Sequence, residues 1–178
     1  MKFFLKHRAT FQIKPFILWI ICSFFMFYQF LLQSSPSVMI QPLSKDLNTT
    51  SLGVSWLSSA FFYTYVLLQI PAGMLVDKGN IRYIFTLGIS GLAMSCLGFA
   101  FADNLYASVT CRILMGIFAA PGLVGAFYII DQRFFKRYFS FLVGITEMGT
   151  ILGAAIGQAV LAQGVIYIGW RSTLMIYS

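Results

Sequence analysis

Acidic side chains are scarce in this chain. Its 178 residues hold five Asp and Glu against 12 Lys and Arg, and charged residues of both signs make up only 10%, where a soluble domain has about 25%. Histidine occurs once, at His7, and there is no H-E-x-x-H run, so the nucleophile–base or metal constellation that an enzyme needs is missing. The three cysteines, Cys22, Cys96 and Cys111, are far apart inside apolar runs. They have neither metal-ligand spacing nor the density of a disulfide scaffold, and read as small core or lipid-facing residues. What is abundant is oil: 59% of residues are hydrophobic and the mean hydropathy is +0.83. A soluble domain of ~150 residues buries only ~70% of its unfolded surface, so one core could not hide this much apolar area. The excess must face lipid, which excludes a soluble enzyme and a nucleic-acid-binding domain.

Uncharged stretches mark the spans. Pro15 to Ser44 and Leu47 to Val76 are each 30 residues without a charge, and Tyr83 to Ala102 is 20. Asn104 to Ile130 is interrupted only by Arg112, and Tyr138 to Trp170 only by Glu147. Each exceeds the ~20 apolar residues that cross ~30 Å of hydrocarbon as a helix. The pattern predicts an all-α, polytopic transmembrane helix bundle over 15–178. It has five complete spans near 16–40, 53–76, 83–102, 106–130 and 138–163, and a sixth from 171, preceded by a basic tail over 1–14. The first run is too long for a signal peptide and lacks a small-x-small cleavage site, so it reads as a retained anchor.

Orientation follows from the cations. Lys2, Lys6, Arg8, Lys14, Lys78, Arg82, Arg133, Lys136 and Arg137 fall on one side, against Lys45 and Arg171 on the other. Nine against two predicts a cytoplasmic N-terminus in the cell membrane. The net charge of +7 is therefore a statement about the membrane side and not about nucleic acid. Asn48-Thr49-Thr50 matches a glycosylation sequon, too close to the membrane to be expected in use.

Three segments carry a family resemblance. The second connection reads Gly73-Met74-Leu75-Val76-Asp77-Lys78-Gly79-Asn80-Ile81-Arg82. It resembles the G-x-x-x-D-R/K-x-G-x-x-R/K loop between helices 2 and 3 of the major facilitator superfamily, with Gly79 one place early and Asn80 where the second glycine usually stands. Arg112-Ile113-Leu114-Met115-Gly116 resembles the R-x-x-x-G of helix 4, and Gly169-Trp170-Arg171 the G-W-R that opens helix 6. The resemblance implies the N-terminal six-helix half of a twelve-span fold, cut off within helix 6, whose C-terminal half is in the same or another chain. It implies a secondary carrier for a small polar solute working by alternating access, with helices 1 and 4 lining the cavity. It also makes Gly73, Asp77, Lys78 and Arg82 a gating loop, to which Asp131 and Arg133 add a charge cluster. The segments Ser35 to Met39 and Thr146 to Met148 are similar to bacterial relatives of lysosomal dipeptide and phagosomal amino-acid carriers. That places amino acids, dipeptides or small organic acids ahead of sugars and drugs. Ala154 follows Gly153 where drug–proton antiporters of the superfamily carry proline, a further point against multidrug export.

The residues themselves nominate a pathway. Gln29, Gln33, Ser37 and Gln41 recur at steps of four, a polar stripe that should avoid lipid. Pro36 and Pro121 interrupt matching helices of the two three-helix repeats, a pointer to a substrate route or to two tolerated kinks. Gly149, Gly153 and Gly157 form a flat strip for close helix packing, with Glu147, Ala154 and Gln158 roughly opposite. A charge at the membrane centre costs at least ~2.5 kcal/mol, so Arg112 and Glu147 should face the bundle interior. The functional reading has Arg112 hold a substrate carboxylate and Glu147 serve as a protonatable coupling group. The structural reading has them neutralise each other or bond to backbone carbonyls. No metal or organic cofactor is expected, and proton or sodium coupling stays open. The expected partners are the bilayer, the solute and the missing half. The alternative function is a non-transporting truncated membrane protein or an interaction module.

Overall fold

A computed structural model describes residues 13–178. The tail cations Lys2, Lys6 and Arg8 lie outside the described residues, and side chains are described from Pro15 onward. Among the described residues there are seven α-helices and no strand: α1 (Ile13–Val38), α2 (Ile40–Asp46), α3 (Ser51–Lys78), α4 (Ile81–Ala100), α5 (Leu105–Arg133), α6 (Phe139–Ile168) and α7 (Trp170–Tyr177). Five of them, α1, α3, α4, α5 and α6, are long and apolar enough to cross a membrane.

Short polar residues start the helices. Thr50, Asn80 and Asn104 each accept a hydrogen bond from a backbone N–H of the first turn, at 3.4, 3.1 and 2.8 Å, satisfying donors that have no partner within the helix. Asn80 thereby explains the departure from the loop pattern: it caps α4. Gly79 stands one place early because a Cβ there would lie 2.6 Å from the Leu75 carbonyl oxygen. Gly169, between α6 and α7, has φ of 81°, a backbone geometry that glycine adopts without steric cost.

The sequence places the first span near 16–40; α1 ends at Val38, and Gln41, the last residue of the polar stripe, belongs to the separate helix α2. Pro36 has no N–H to give, and Pro42 fits only the first turn of a new helix. The polar stripe therefore ends at Ser37.

The long helices alternate in direction, so the bundle has two distinct ends. At one, the Trp170 indole donates to Asp46 at 2.7 Å, and Arg171 reaches Asp103 at 3.3 Å and Asp46 at 3.9 Å. At the other, the Trp19 indole donates to Thr146 at 3.0 Å and its ring meets Phe134 edge-on. Lys78, Arg82, Arg133, Lys136 and Arg137 all fall at the Trp19 end. The most extensive pairings are α3 on α5, α1 on α6 and, between neighbours in sequence, α4 on α5. Two glycines of the expected strip make the α1–α6 seam. A Cβ on Gly153 would sit 2.6 Å from the Phe27 carbonyl oxygen, and one on Gly157 would sit 2.7 Å from Leu31 Cγ. Gly149 takes no part, having nothing within 4 Å. The outward surface is apolar, with Leu67, Ile70 and Ile166 exposed to 73%, 76% and 79%, as lipid-facing side chains should be.

Candidate functional site

A polar cluster lies within the apolar bundle. Gln29 of α1 is wholly buried, and Tyr65, midway along α3, is nearly so. Among the described residues neither polar atom of the Gln29 amide makes a close hydrogen bond, and the same holds for the Tyr65 hydroxyl and Gln33 Oε1. Gln69 and Gln29 face the Tyr65 hydroxyl as hydrogen-bonding neighbours that stop short of a close bond, and the Glu147 charge acts on it from further off, so α1, α3 and α6 all contribute to the cluster. Gly122 of α5 makes room for it: a Cβ there would lie 2.7 Å from Gln29 Oε1. Buried polar atoms in folded proteins are almost always paired, and each one left unpaired costs about 1–3 kcal/mol. Unpartnered amide and phenol groups gathered in one place are what a polar ligand would satisfy.

Next to this cluster a cleft of about 630 Å³ opens between α1, α3 and α6, lined by Gln33, Ser37, Ser58, Ser59, Phe62 and Gln158 among others. That is within the range of small-molecule sites. Gln33 and Gln158 meet there because Gly153 and Gly157 draw α6 against α1. Glu147 is half-buried on α6, and the Thr150 hydroxyl donates to its backbone oxygen at 2.7 Å and to Oε2 at 3.4 Å.

Arg112 is elsewhere. It is completely buried on α5. Its Nη1 donates to the Leu32 carbonyl at 3.2 Å, its Nη2 to Ser35 Oγ at 2.7 Å, and the guanidinium stacks 4.6 Å from the Phe99 ring centre. Among the described residues the ion pairs within 4 Å are those of Arg171 with Asp46 and Asp103, so Arg112 and Glu147 do not neutralise each other. The backbone-carbonyl alternative describes Arg112.

The loop residues are spread over the Trp19 end. Gly73 packs near Val124: a Cβ there would meet Val124 Cγ1 at 3.5 Å, an ordinary van der Waals contact. Asp77, Lys78, Arg82, Asp131 and Arg133 are exposed and form no ion pair with one another among the described residues. Asp131 accepts from its neighbour Gln132 at 3.4 Å. The expected charge cluster around Arg82 is not assembled here. No group of three or more His, Cys, Asp and Glu suited to a metal occurs among the described residues.

A family model described as Major Facilitator Superfamily matches residues 19–178. The chain belongs to this superfamily. Among Major Facilitator Superfamily proteins it is similar to the tetracenomycin C resistance and export protein of Streptomyces glaucescens, 23% identical over 75% of this chain and 25% of that one. It is also similar to the D-galactonate transporter of Escherichia coli, 26% identical over 64% of this chain and 26% of that one. The inward-facing, unoccupied crystal structure of a bacterial homologue of the human lysosomal transporter Spinster superposes with a TM-score of 0.79 at 17% identity, over 92% of this chain and 40% of that one. The chain thus spans about a quarter of the length of the curated relatives it matches, and its fold is part of a Major Facilitator Superfamily fold.

Sequence reasoning missed α3 as a site element. Tyr65 and Gln69 are four residues apart on one helix face, and Ser58 and Ser59 stand on the cleft wall one to two turns earlier. That spacing was readable, but uncharged polar residues inside a span carry a weaker signal than a lone Arg or Glu.

Proposed function

We propose that this chain forms part of a secondary carrier that moves a small polar solute across the cell membrane by alternating access. The observation that supports the reading is the buried Gln29 amide, without a close hydrogen bond among the described residues, beside the Tyr65 hydroxyl, one helical turn from Gln33, which lines the cleft together with Gln158. Solute binding would supply the hydrogen bonds these atoms lack. The N-terminus and the cationic Trp19 end are assigned to the cytoplasm by the nine-to-two distribution of Lys and Arg. Asp77, Lys78 and Arg82, exposed at that end, keep the gating role that the family resemblance gives them, acting on a C-terminal half.

Within the polar solutes, an amino acid or dipeptide is favoured over an organic acid. Glu147 offers a carboxylate to an ammonium group, and the amides of Gln29, Gln33 and Gln158 suit peptide or amide groups. An organic acid would want a cation, and Arg112 has turned its guanidinium to α1. Relatives are named for solutes as different as tetracenomycin C and D-galactonate, so family membership alone does not select among them. Glu147 is also the group suited to proton coupling.

Thermal unfolding of the purified chain tests this against a panel of L-amino acids, dipeptides, D-galactonate and tetracycline. A ligand at 100 times its Kd stabilises by ~2.7 kcal/mol, which a midpoint shift reads directly. An amino acid or dipeptide is expected to raise the midpoint, and Gln29→Ala and Glu147→Gln to abolish the shift. A response to D-galactonate alone, no response to any solute, or a shift that survives both substitutions refutes the proposal.

A further inference from the structure

Arg112 heads the fully buried side chains in size, and it makes a specific pair of contacts on α1. Proline at 36 lacks the N–H that would close the helical bond to the carbonyl four residues back. That carbonyl belongs to Leu32, and it is the one that Arg112 Nη1 reaches at 3.2 Å. The Ser35 hydroxyl donates to the same oxygen at 2.7 Å while accepting from Arg112 Nη2 at 2.7 Å. Guanidinium, hydroxyl and carbonyl thus close a ring of three hydrogen bonds around the proline. Leu32 and Ser35 are wholly buried on this side of α1. Gln33, Ser34 and Ser37 of the same turns line the cleft on its other side.

We propose that Arg112 is a positioning residue: an interhelical latch that supplies from α5 the donor that Pro36 removes from α1, and so fixes the cleft wall carrying Gln33, Ser34 and Ser37. The charge is accommodated without a carboxylate. The Phe99 ring presents its π face at 4.6 Å, and Phe99 stands in the last turn of α4, where the carbonyl end of a helix favours a cation. The proximity of Arg112 to the cleft is then mechanical, through the backbone of α1, and not by contact with solute. This assignment does not rest on which solute is carried or on whether the chain transports.

A double-substitution cycle on the full chain isolates the latch. Arg112→Met, Pro36→Ala and the pair are purified in detergent and unfolded with increasing SDS. A thiol-reactive dye reports release of Cys22 and Cys96, which are 3% and 0% exposed in the fold. With Pro36 in place, Arg112→Met leaves the Ser35 hydroxyl as the side-chain donor to the Leu32 carbonyl and removes two buried hydrogen bonds from a charged donor, which is expected to lower the folded-to-unfolded ratio roughly tenfold. In the Pro36→Ala background, where the restored backbone N–H can return to Leu32, the same substitution is expected to cost less than about threefold. Arg112→Lys, keeping a single donor group, should fall between wild type and Arg112→Met. If Arg112→Met does not accumulate alone, the pair with Pro36→Ala should restore it. An equal cost in both backgrounds, a gain in stability from Arg112→Met, or failure of the pair to accumulate overturns the proposal.

Discussion

Replacing Gln29 by methionine separates a binding group from a structural one. Methionine has nearly the length and volume of glutamine and adapts to irregular gaps, so the tight seat against Gly122, where Gln29 Oε1 lies 2.7 Å from a virtual Cβ, is kept. The two unpartnered amide atoms are removed. In water-soluble proteins each would account for about 1–3 kcal/mol. In a membrane the unfolded reference is less well hydrated, and measured interhelical hydrogen bonds there average only ~0.6 kcal/mol, so the smaller figure applies. Gln29→Met is therefore expected to stabilise the solute-free chain by about 1–2 kcal/mol, read as a higher SDS midpoint with Cys22 and Cys96 labelling as the signal. The same variant should lose any solute-induced shift. A loss of more than about 1 kcal/mol without solute would refute the reasoning, because it would mean that the amide is part of the packing scheme and not held in reserve for a ligand.

Four further outcomes follow from the geometry. Gly149→Ala, with open space around it, should stabilise by up to ~1 kcal/mol through helix propensity alone, whereas Gly153→Ala, whose methyl would press on the Phe27 carbonyl at 2.6 Å, should destabilise by about 1–3 kcal/mol; equal midpoints for the two would contradict the seam. Asn104→Ala, losing the 2.8 Å cap to the Ala107 N–H, should cost about 1 kcal/mol in the same titration. Asp46→Asn keeps an acceptor for the Trp170 indole and should be nearly silent, since the 3.9 Å pair with a half-exposed Arg171 contributes little; Asp46→Ala should be clearly worse, and similar midpoints would show the indole bond to be idle. Reporter fusions at Lys78 and Lys136 should both give cytoplasmic signals, and an external signal from either would reverse the assigned orientation.

Spans were legible because hydrocarbon imposes a one-dimensional rule: a charge ends a run, and its length tells whether it crosses. The break after Val38 was less legible, since Pro36 alone, like Pro71 and Pro121, is tolerated inside a helix; only with Pro42 close behind does the chain start anew. Arg112 is conspicuous in sequence, which leaves open whether it meets solute or backbone carbonyls. A lone buried cation signals that partners exist, but not whether they are solute or backbone, and the partner here is a carbonyl 80 residues away. Gly149, Gly153 and Gly157 look equivalent by period, yet only the latter two meet α1. The buried face of α6 runs through Thr146, Thr150, Gly153 and Gly157. A strict step of four drifts about 40° per step on a helix of 3.6 residues per turn, which carries Gly149 to the side of that face.

The seam between α1 and α6 also sets an order on biosynthesis. Phe27 and Leu31 leave the ribosome well over a hundred residues before the glycines that receive them. Until then the first helix must wait in the bilayer with the face that carries Phe27 and Leu31 bare, open to whatever insertion factor or neighbouring helix lies alongside. A nascent chain halted before Gly153 would retain its hydrophobic segments and lose the docking that shelters the earliest of them, so quality control can distinguish a finished bundle from an unfinished one by that single exposed face.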